Sequence, residues 1–173
     1  MLKCFYPMEY LDSVYQIDFE LLYQKGIRGI LFDIDNTLVP HGSPADQQAI
    51  ELFQTLKKLS IKTCLISNNQ IGRVKSFADS VGAVFIENAH KPSVSGYQKG
   101  MEQMGCTKEN TIFIGDQLFT DIYGANRAGI PTILVKPIHP KEEIQIVLKR
   151  YLERVVLFFY KKQCRKEGKN EGH

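Results

Sequence analysis

Residues 29–38 read GILFDIDNTL, an apolar run that ends in two aspartates separated by a single residue. Two further apolar runs, TCLIS at 63–67 and TIFIG at 111–115, have the same character. Continuous apolar runs of this length are typical of strands that are buried on both faces of a parallel sheet. Because stretches with helical periodicity alternate with them, the sequence predicts an α/β fold. We expect a three-layer α/β/α sandwich of the Rossmann type, with a mainly parallel sheet and right-handed crossovers.

The predicted elements alternate along the whole first part of the chain. Strands are predicted at 29–34, 62–66, 83–85, 111–114 and 132–135. Helices are predicted near 12–24 and at about 43–59, 71–80, 93–104 and 120–128. Ser43 and Pro44 have the pattern of an N-cap and a first helical residue, and Gly129 that of a helix stop.

Length and composition indicate one soluble globular domain. The chain has 173 residues, of which 43% are hydrophobic and 24% charged, and both fractions are ordinary for such a domain. No apolar run approaches the roughly 18–20 residues that span a bilayer, and the first residues lack the pattern of a signal peptide. A cytoplasmic location is therefore expected. The four cysteines are widely separated and are predicted to be reduced thiols.

Polar side chains follow four of the predicted strands. In chain order they are Asp33, Asp35 and Thr37, then Ser67 and Asn68, then Lys91, and finally Asp116 with Asp121. Ligands of open α/β sheets bind beyond the carboxyl ends of the strands, so we expect these groups to converge there. Clustered carboxylates repel one another, and oxygen ligands suit Mg²⁺. The sequence therefore predicts a magnesium site at this edge of the sheet.

Four motifs, in the order found here, resemble those of the haloacid dehalogenase superfamily of phosphatases. They are DIDNTL at 33–38, the apolar run into Ser67-Asn68, Lys91 before Pro92, and GDQLFTD at 115–121. The resemblance implies a Mg²⁺-dependent phosphatase in which Asp33 attacks phosphorus to form an aspartyl-phosphate. It implies that Asp35 is the general acid and then the base. It also implies metal ligation by the Asp33 carboxylate, the Asp35 backbone carbonyl and Asp116.

The same resemblance implies roles for the remaining motif residues. Ser67 and the backbone of Asn68 would bind phosphate oxygens, and Lys91 would neutralise the phosphate and the nucleophile. Asp121 would orient the metal's water shell or Lys91 rather than bind metal directly. Alternatively, Asp121 is a plain acidic residue at a helix N-terminus, and Thr37 only braces the turn after the strand.

Neither interval between the motifs is long enough for the cap domain with which many of these enzymes select substrates. Only 29 residues separate Thr37 from Ser67, and 21 separate Asn69 from Lys91. Each interval is used by a helix and a strand. An open site suits a phosphate that is displayed on a large molecule, such as a protein, a nucleic acid or a membrane lipid.

The C-terminal segment is basic and rich in apolar residues. The net charge of +3 is unevenly distributed, because residues 141–173 contain nine Lys/Arg and five Asp/Glu. Residues 1–140 are predicted to form the core with its N-terminal helix, and 141–173 a basic helix and tail. Interleaved apolar and cationic residues are typical of helices that lie on anionic lipid. The alternative is a helix packed on the core through a stripe of Ile144, Leu148, Tyr151/Leu152, Val155 and Phe159.

Beyond the shared motifs, the N-terminal stretches FYPMEYLDSVYQID and LLYQKGIRGILFDIDNTL resemble the YqeG-type branch of the capless IIIA group. This resemblance covers most of the chain, up to about residue 150. Relatives in that branch are phosphatidylglycerophosphate phosphatases, which implies a membrane-displayed substrate and peripheral contact with the membrane. A phosphatase of soluble phosphoproteins, nucleotides or sugar phosphates is the first alternative. A receiver-like phospho-Asp domain and a non-catalytic binding module are alternatives from other classes. No specific nucleic acid is predicted as a partner, and the oligomeric state is left open.

Overall fold

A computed structural model describes residues 2–139 and 144–166. Six parallel strands form one sheet in the order β1-β6-β5-β2-β3-β4. The strands are β1 (Glu9–Leu11), β2 (Gly29–Phe32), β3 (Lys62–Ile66), β4 (Val84–Ile86), β5 (Thr111–Gly115) and β6 (Thr132–Val135). The helices are α1 (Phe19–Gln24), α2 (Gln47–Lys58), α3 (Ile71–Val81), α4 (Val94–Met104), α5 (Tyr123–Arg127) and α6 (Ile144–Lys166). The predicted α/β class with a parallel sheet is confirmed.

The core has two parts because successive strand residues point to opposite faces of the sheet. Ile30 and Phe32 of β2 belong to a cluster that also contains the buried residues of α1, α2 and α3. Leu31 between them belongs to a second cluster, with Tyr97 and Met101 of α4. Helices therefore cover both faces, which explains why β2 is apolar at every position. The chain between β2 and β3 forms a loop and α2, and the chain between β3 and β4 forms α3, so neither interval contains an inserted domain.

The N-terminal region differs from the prediction. Instead of one helix near 12–24, a short 3₁₀ turn at Val14–Gln16 precedes α1, whose first turn is capped by the Asp18 carboxylate. The edge strand β1 was not predicted, because a strand of three partly exposed residues carries no apolar run. It pairs with β6 through the register of Glu9 with Ile133.

The start of α2 was also predicted wrongly. The helix begins at Gln47 rather than after Ser43, and Asp46 is its N-cap. The Asp46 Oδ1 atom accepts a hydrogen bond of 2.8 Å from the Ala49 N–H. Asp and Ser are comparable caps, so sequence preference does not separate the two starts. Residues 44–46, which were predicted to begin the helix, instead belong to the loop beside the site.

The carboxyl end of β5 leads into an unusual turn. A π-helical turn at Leu118–Ile122 precedes α5, where one helix at 120–128 was predicted. The C-terminal helix α6 packs on this turn, since Val156 shares a small apolar cluster with Leu118 and Ile122. The predicted core-facing stripe of α6 is wrong at Tyr151/Leu152, Val155 and Phe159, which are all exposed. The side chains of Ile144 and Leu148 lie outside the described residues.

The buried face of α6 is instead formed around Glu153, Val156 and Tyr160. Glu153 and Val156 are buried, and the Tyr160 ring lies edge-on to Tyr6 with centroids 5.2 Å apart. The segment 140–143, where the predicted domain boundary falls, lies outside the described residues, so that division stays a prediction. Among the described helices, none combines the length and apolarity needed to cross a membrane. Cys4, Cys64 and Cys106 are free thiols, and the Cys164 side chain lies outside the described residues.

Candidate active site

The predicted site residues come together at the carboxyl ends of three adjacent strands. Asp33 directly follows β2, Ser67 follows β3, and Asp116 follows β5. Because β5, β2 and β3 are neighbours in the sheet, their carboxyl ends lie side by side. Asn36 has a left-handed backbone with φ of 64° and turns the chain away from the sheet just after Asp33. Asn and Asp tolerate that conformation better than other side chains.

Three buried carboxylates form a compact cluster. Asp33, Asp116 and Asp121 each place one oxygen atom within 4.8 Å of the other two. Thr37 is buried beside them, with its Oγ1 atom 3.4 Å from both Asp33 Oδ2 and Asp116 Oδ1. Asp121, which was expected to orient Lys91 or the metal's water shell, lies within the cluster.

Lys91 supplies the positive charge of the cluster. Its Nζ atom lies 2.5 Å from Asp33 Oδ1 and 2.7 Å from Asp121 Oδ1. Burial alone would lower the pKa of Lys91, but the carboxylates of Asp121 and Asp33 outweigh it and raise that pKa. Lys91 is therefore held as an ammonium. Burial raises the pKa of Asp33, and the Lys91 ammonium opposes that rise.

The donor set of the cluster fits a divalent cation. Three carboxylates against one ammonium leave a buried excess of two negative charges when all are ionised. Buried like charges are costly unless a cation compensates them. Hard oxygen ligands of this kind suit Mg²⁺, which binds through one or two carboxylates and keeps several waters. The residues present therefore fit the predicted metal, with Asp33 and Asp116 as the expected carboxylate ligands.

Asp121 is held from two sides. Its Oδ1 atom accepts from Lys91 and its Oδ2 atom accepts from the Gln117 N–H at 3.0 Å. Gly115 leaves room for it, because a Cβ atom at position 115 would lie 2.5 Å from Asp121 Oδ2. Both carboxylate oxygens are thus committed to protein donors. One of these donors is Lys91, and the role of orienting Lys91 stays a prediction.

Asn68 positions Lys91 through its side chain. The Asn68 Oδ1 atom accepts from the Lys91 N–H at 2.7 Å, and its Nδ2 atom donates to the Lys91 carbonyl at 3.3 Å. The two ends of the amide therefore clamp one residue of the loop before α4. The expected phosphate contact of Asn68 concerned its backbone and stays a prediction. Ser67 is buried next to it, and its Oγ atom accepts from the Asn69 N–H at 3.1 Å.

The Asp35 carboxylate lies apart from the cluster and is held by three donors. It accepts from the Gly42 N–H at 2.8 Å, from Asn69 Nδ2 at 2.5 Å and from Arg73 Nη2 at 2.9 Å. Burial alone would raise the pKa of Asp35, but the Gly42 N–H and the Arg73 guanidinium outweigh it and lower that pKa below its usual 3.8. Asp35 was expected to be free to carry a proton. The structure instead holds it as a carboxylate in an ion pair.

Three contributors to this site were not predicted. They are Asn69, Arg73 and Glu153. The available signal for Arg73 was its position in the first turn of the predicted helix that follows the second motif. Glu153 is buried, and its Oε1 atom accepts from the Leu118 N–H at 3.0 Å. No sequence pattern links a glutamate on the last helix to that turn.

Comparison with known proteins agrees with the site. Residues 47–129 match the family model of haloacid dehalogenase-like hydrolases. The probable phosphatase YqeG of Bacillus subtilis is 38% identical over 162 residues, which are 93% of this chain and 94% of the relative. Phosphatidylglycerophosphate phosphatase 1 of Arabidopsis thaliana is 29% identical over 91% of this chain, but this chain covers only 47% of that protein.

The fold is also found among solved structures. NagD from Escherichia coli K-12 has a TM-score of 0.54 and 16% identity, over 63% of this chain and 87% of that one. At that identity the likeness concerns the fold alone. Family membership follows from the YqeG match, which extends over almost all of both chains. The chain therefore belongs to the haloacid dehalogenase-like hydrolase family, and within it to the phosphatases related to YqeG.

Proposed function

We propose that this phosphatase is a Mg²⁺-dependent phosphomonoesterase that acts through an aspartyl-phosphate on Asp33. The observation that carries the proposal is the buried cluster in which Asp33 pairs with Lys91 and lies beside the carboxylates of Asp116 and Asp121. A nucleophilic carboxylate beside a cation and an oxygen-ligand site is suited to receiving a phosphoryl group. When bound by Asp33, the Asp35 carbonyl and Asp116, Mg²⁺ would offset the charge of the phosphate and of the transition state.

The chemical steps are assigned to side chains of this chain. An Asp33 oxygen attacks phosphorus as the bond to the leaving oxygen breaks. Asp35, which the folded protein holds as a carboxylate, first takes a proton from the bound phosphate monoanion or from solvent and then gives it to the leaving oxygen. Asp35, now a carboxylate, then takes a proton from the water that attacks the phosphorus of the aspartyl-phosphate. The bond to Asp33 breaks and inorganic phosphate is released. Ser67, the backbone of Asn68 and Lys91 would hold the phosphate oxygens during both steps.

The substrate is proposed to be a phosphate displayed on a bulky or membrane-bound molecule. Neither interval between the first three motifs contains an inserted domain that could enclose a small metabolite. The Arabidopsis and Chlamydomonas relatives are named phosphatidylglycerophosphate phosphatases, which supports that lipid as the first candidate. Contact with anionic lipid through the basic C-terminal helix and a peripheral position at a cytoplasmic membrane surface belong to the same proposal.

The test compares substrates and nucleophile variants. Turnover of phosphatidylglycerophosphate in mixed micelles is measured beside glycerol phosphate, nucleotides, sugar phosphates and phosphopeptides. We expect the largest kcat/KM for the lipid, and a much larger value for a soluble ester would refute the lipid assignment.

Asp33→Asn removes the nucleophile while nearly preserving its shape. We expect it to abolish turnover by at least about a thousandfold. Asp79→Asn is the matched control, because Asp79 is an exposed aspartate that pairs with Lys75 on α3. Acid-quenched protein should carry a hydroxylamine-labile phosphate in the wild type and none in Asp33→Asn. Unimpaired turnover by Asp33→Asn would refute the mechanism, and a persistent phosphoprotein without turnover would favour the receiver-like alternative.

A further inference from the structure

The outer face of α6 exposes an unusual amount of apolar surface. Ten large apolar side chains are exposed among the described residues, and five of them lie on this one helix, between 45% and 65% exposed. They are Tyr151, Leu152, Val155, Phe158 and Phe159. At about 100° per residue they occupy one continuous arc of roughly 120°. We call this set the α6 outer face. Contiguous exposed apolar patches mark interaction sites more often than single exposed residues do.

The opposite side of α6 fixes the orientation of that face. Val156 packs with Leu118 and Ile122, and Glu153 accepts a hydrogen bond from the Leu118 N–H. A buried carboxylate that accepts a backbone N–H at 3.0 Å stabilises one rotational setting of the helix, because rotation would break this hydrogen bond and expose Val156. In this setting the outer face points away from the turn on which α6 packs.

Cationic side chains accompany the outer face. Arg154, Lys161 and Arg165 follow the arc on one side in helical projection, and Lys162 lies within it beyond the last aromatic residues. All four are exposed, and Glu153, the acidic residue of this helix, is buried on the other side. Apolar residues bordered by cations are the composition of helices that lie in the interface of an anionic bilayer. A second copy of the same face would bring these cations against their own counterparts, which disfavours self-association.

The helix also adjoins the catalytic edge of the sheet. The turn on which α6 packs directly follows the residues 116–117 and contains Asp121. A surface that meets α6 is therefore next to the carboxyl ends of the strands, where the carboxylates converge. We propose that the α6 outer face is a docking surface for an anionic lipid bilayer, which brings the open site to phosphates displayed on that bilayer. This inference deepens the lipid contact of the proposed function by assigning it to named side chains, and delivery of substrate to the site rests on the proposed function.

Vesicle binding by the full-length protein tests the docking surface without turnover. We expect cosedimentation with vesicles of phosphatidylcholine that contain phosphatidylglycerol, and little with phosphatidylcholine alone. The double variant Tyr151→Ser/Phe158→Ser should bind at least about tenfold more weakly, since it removes the two most exposed aromatic side chains. Met8→Ser/Leu21→Ser is the matched control, because both residues are exposed and apolar but lie outside α6. It should bind as the wild type does.

Neutralising charge tests the lipid headgroup contribution separately. Arg154→Gln/Lys162→Gln should weaken binding to anionic vesicles by about thirtyfold at low salt and by less at high salt. These two residues are exposed, so this variant keeps the test available if the aromatic variant folds poorly. Equal binding of wild type and both variants would refute the surface. Binding without any preference for anionic vesicles would also refute it. So would a wild-type dimer that does not bind vesicles and that Tyr151→Ser/Phe158→Ser converts to a monomer.

Turnover separates this inference from the proposed function. Both α6 variants should hydrolyse soluble 4-nitrophenyl phosphate at the wild-type rate and lose activity only on substrate in vesicles. If vesicle binding follows the expected pattern but phosphatidylglycerophosphate is not hydrolysed, the proposed substrate is wrong and the docking surface stands. If the lipid is hydrolysed equally well by all variants in vesicles, the docking surface is wrong and the proposed function stands.

Discussion

Replacing Arg73 by Gln tests how Asp35 is held for its proposed role as acid and base. In the folded protein Arg73 Nη2 lies 2.9 Å from Asp35 Oδ1, with side chains only 22% and 13% exposed. A hydrogen bond to a charged group in such a setting is worth about 1.5–3 kcal/mol. Partial solvent exposure places this pair in the lower half of that range, at about 1.5–2 kcal/mol. Removing the guanidinium should raise the pKa of Asp35, because the Arg73 cation is one of the groups that lower it.

The assay uses two substrates that differ in their need for a general acid. An alkyl phosphate such as glycerol phosphate leaves as a poor alkoxide and needs the proton of a correctly placed Asp35, whereas 4-nitrophenolate leaves without one. Arg73→Gln should lower kcat for the alkyl ester about tenfold, because the loss of correct placement, taken as about 1.4 kcal/mol on the barrier, outweighs the easier protonation of Asp35. It should lower kcat for the nitrophenyl ester by less than about threefold. Arg73→Lys, which keeps the charge without the planar geometry, should recover part of the loss.

Stability against pH gives a second readout of the same pair. The folded-state pKa of Asp35 is lowered, so the stabilisation by Arg73 is present above the unfolded value near 3.8 and is lost as pH falls through the folded pKa. The difference in unfolding free energy between wild type and Arg73→Gln should therefore be full at pH 7 and should shrink as pH falls through the lowered folded-state pKa, which lies below 3.8. Lys75→Gln on the same helix is the matched control, because Lys75 makes only an exposed pair with Asp79. Equal losses on both substrates, or an equal loss in Lys75→Gln, would refute the positioning role of Arg73.

Three further predictions concern the cluster and its supports. Chelation by EDTA should abolish phosphatase activity and Mg²⁺ should restore it, because the carboxylate cluster needs a cation to accept a phosphate; activity that survives chelation would contradict the metal assignment. Gly115→Ala should destabilise the protein in thermal unfolding by about 1–3 kcal/mol, because the added Cβ would collide with Asp121. Gly72→Ala is the control: its Cβ would meet no atom within 4 Å, so it should be neutral or slightly stabilising. Glu153→Leu should lower the unfolding free energy by about 1–3 kcal/mol, because it leaves the Leu118 N–H without its acceptor. Glu153→Gln keeps an acceptor oxygen and should lower the unfolding free energy by less, and equal losses in the two variants would argue against the hydrogen bond.

Much of the fold was predictable because the central strands are buried on both faces. β3 and β6 have the predicted bounds, and β2 and β5 differ from them by two residues and one residue at the carboxyl end. The edge strand β1 was missed because its three residues are partly exposed and its pairing partner, β6, is more than 120 residues away in the chain. The start of α2 was misplaced because Ser43 and Asp46 are both acceptable caps, and only the folded loop selects one.

The candidate site likewise contains residues that the sequence identified and contacts that it did not. Asp33, Thr37, Ser67, Lys91 and Asp116 were identified because motif spacing and strand ends bring them to one edge. The donors that hold Asp35 were not identified from the sequence. Arg73 belongs to a separate helix, and Gly42 lies in a loop without a distinctive pattern. The structure also changes the interpretation of Asp35 from a free acid to a carboxylate held by three donors.

The C-terminal helix shows which features could be predicted from the sequence and which could not. Its helical character and its mixture of apolar and basic residues were evident from the sequence alone, since both depend only on local composition and spacing. The sequence alone did not show which face of α6 is buried. Apolar residues occur on more than one side of the helix, so periodicity does not select a single face. The choice is made by tertiary contacts, namely the Glu153 hydrogen bond to Leu118 and the packing of Val156 in the same cluster. By the same reasoning, four motifs in order determined the family and the sheet edge at which the carboxylates cluster, and only the folded chain decided which donors surround each carboxylate.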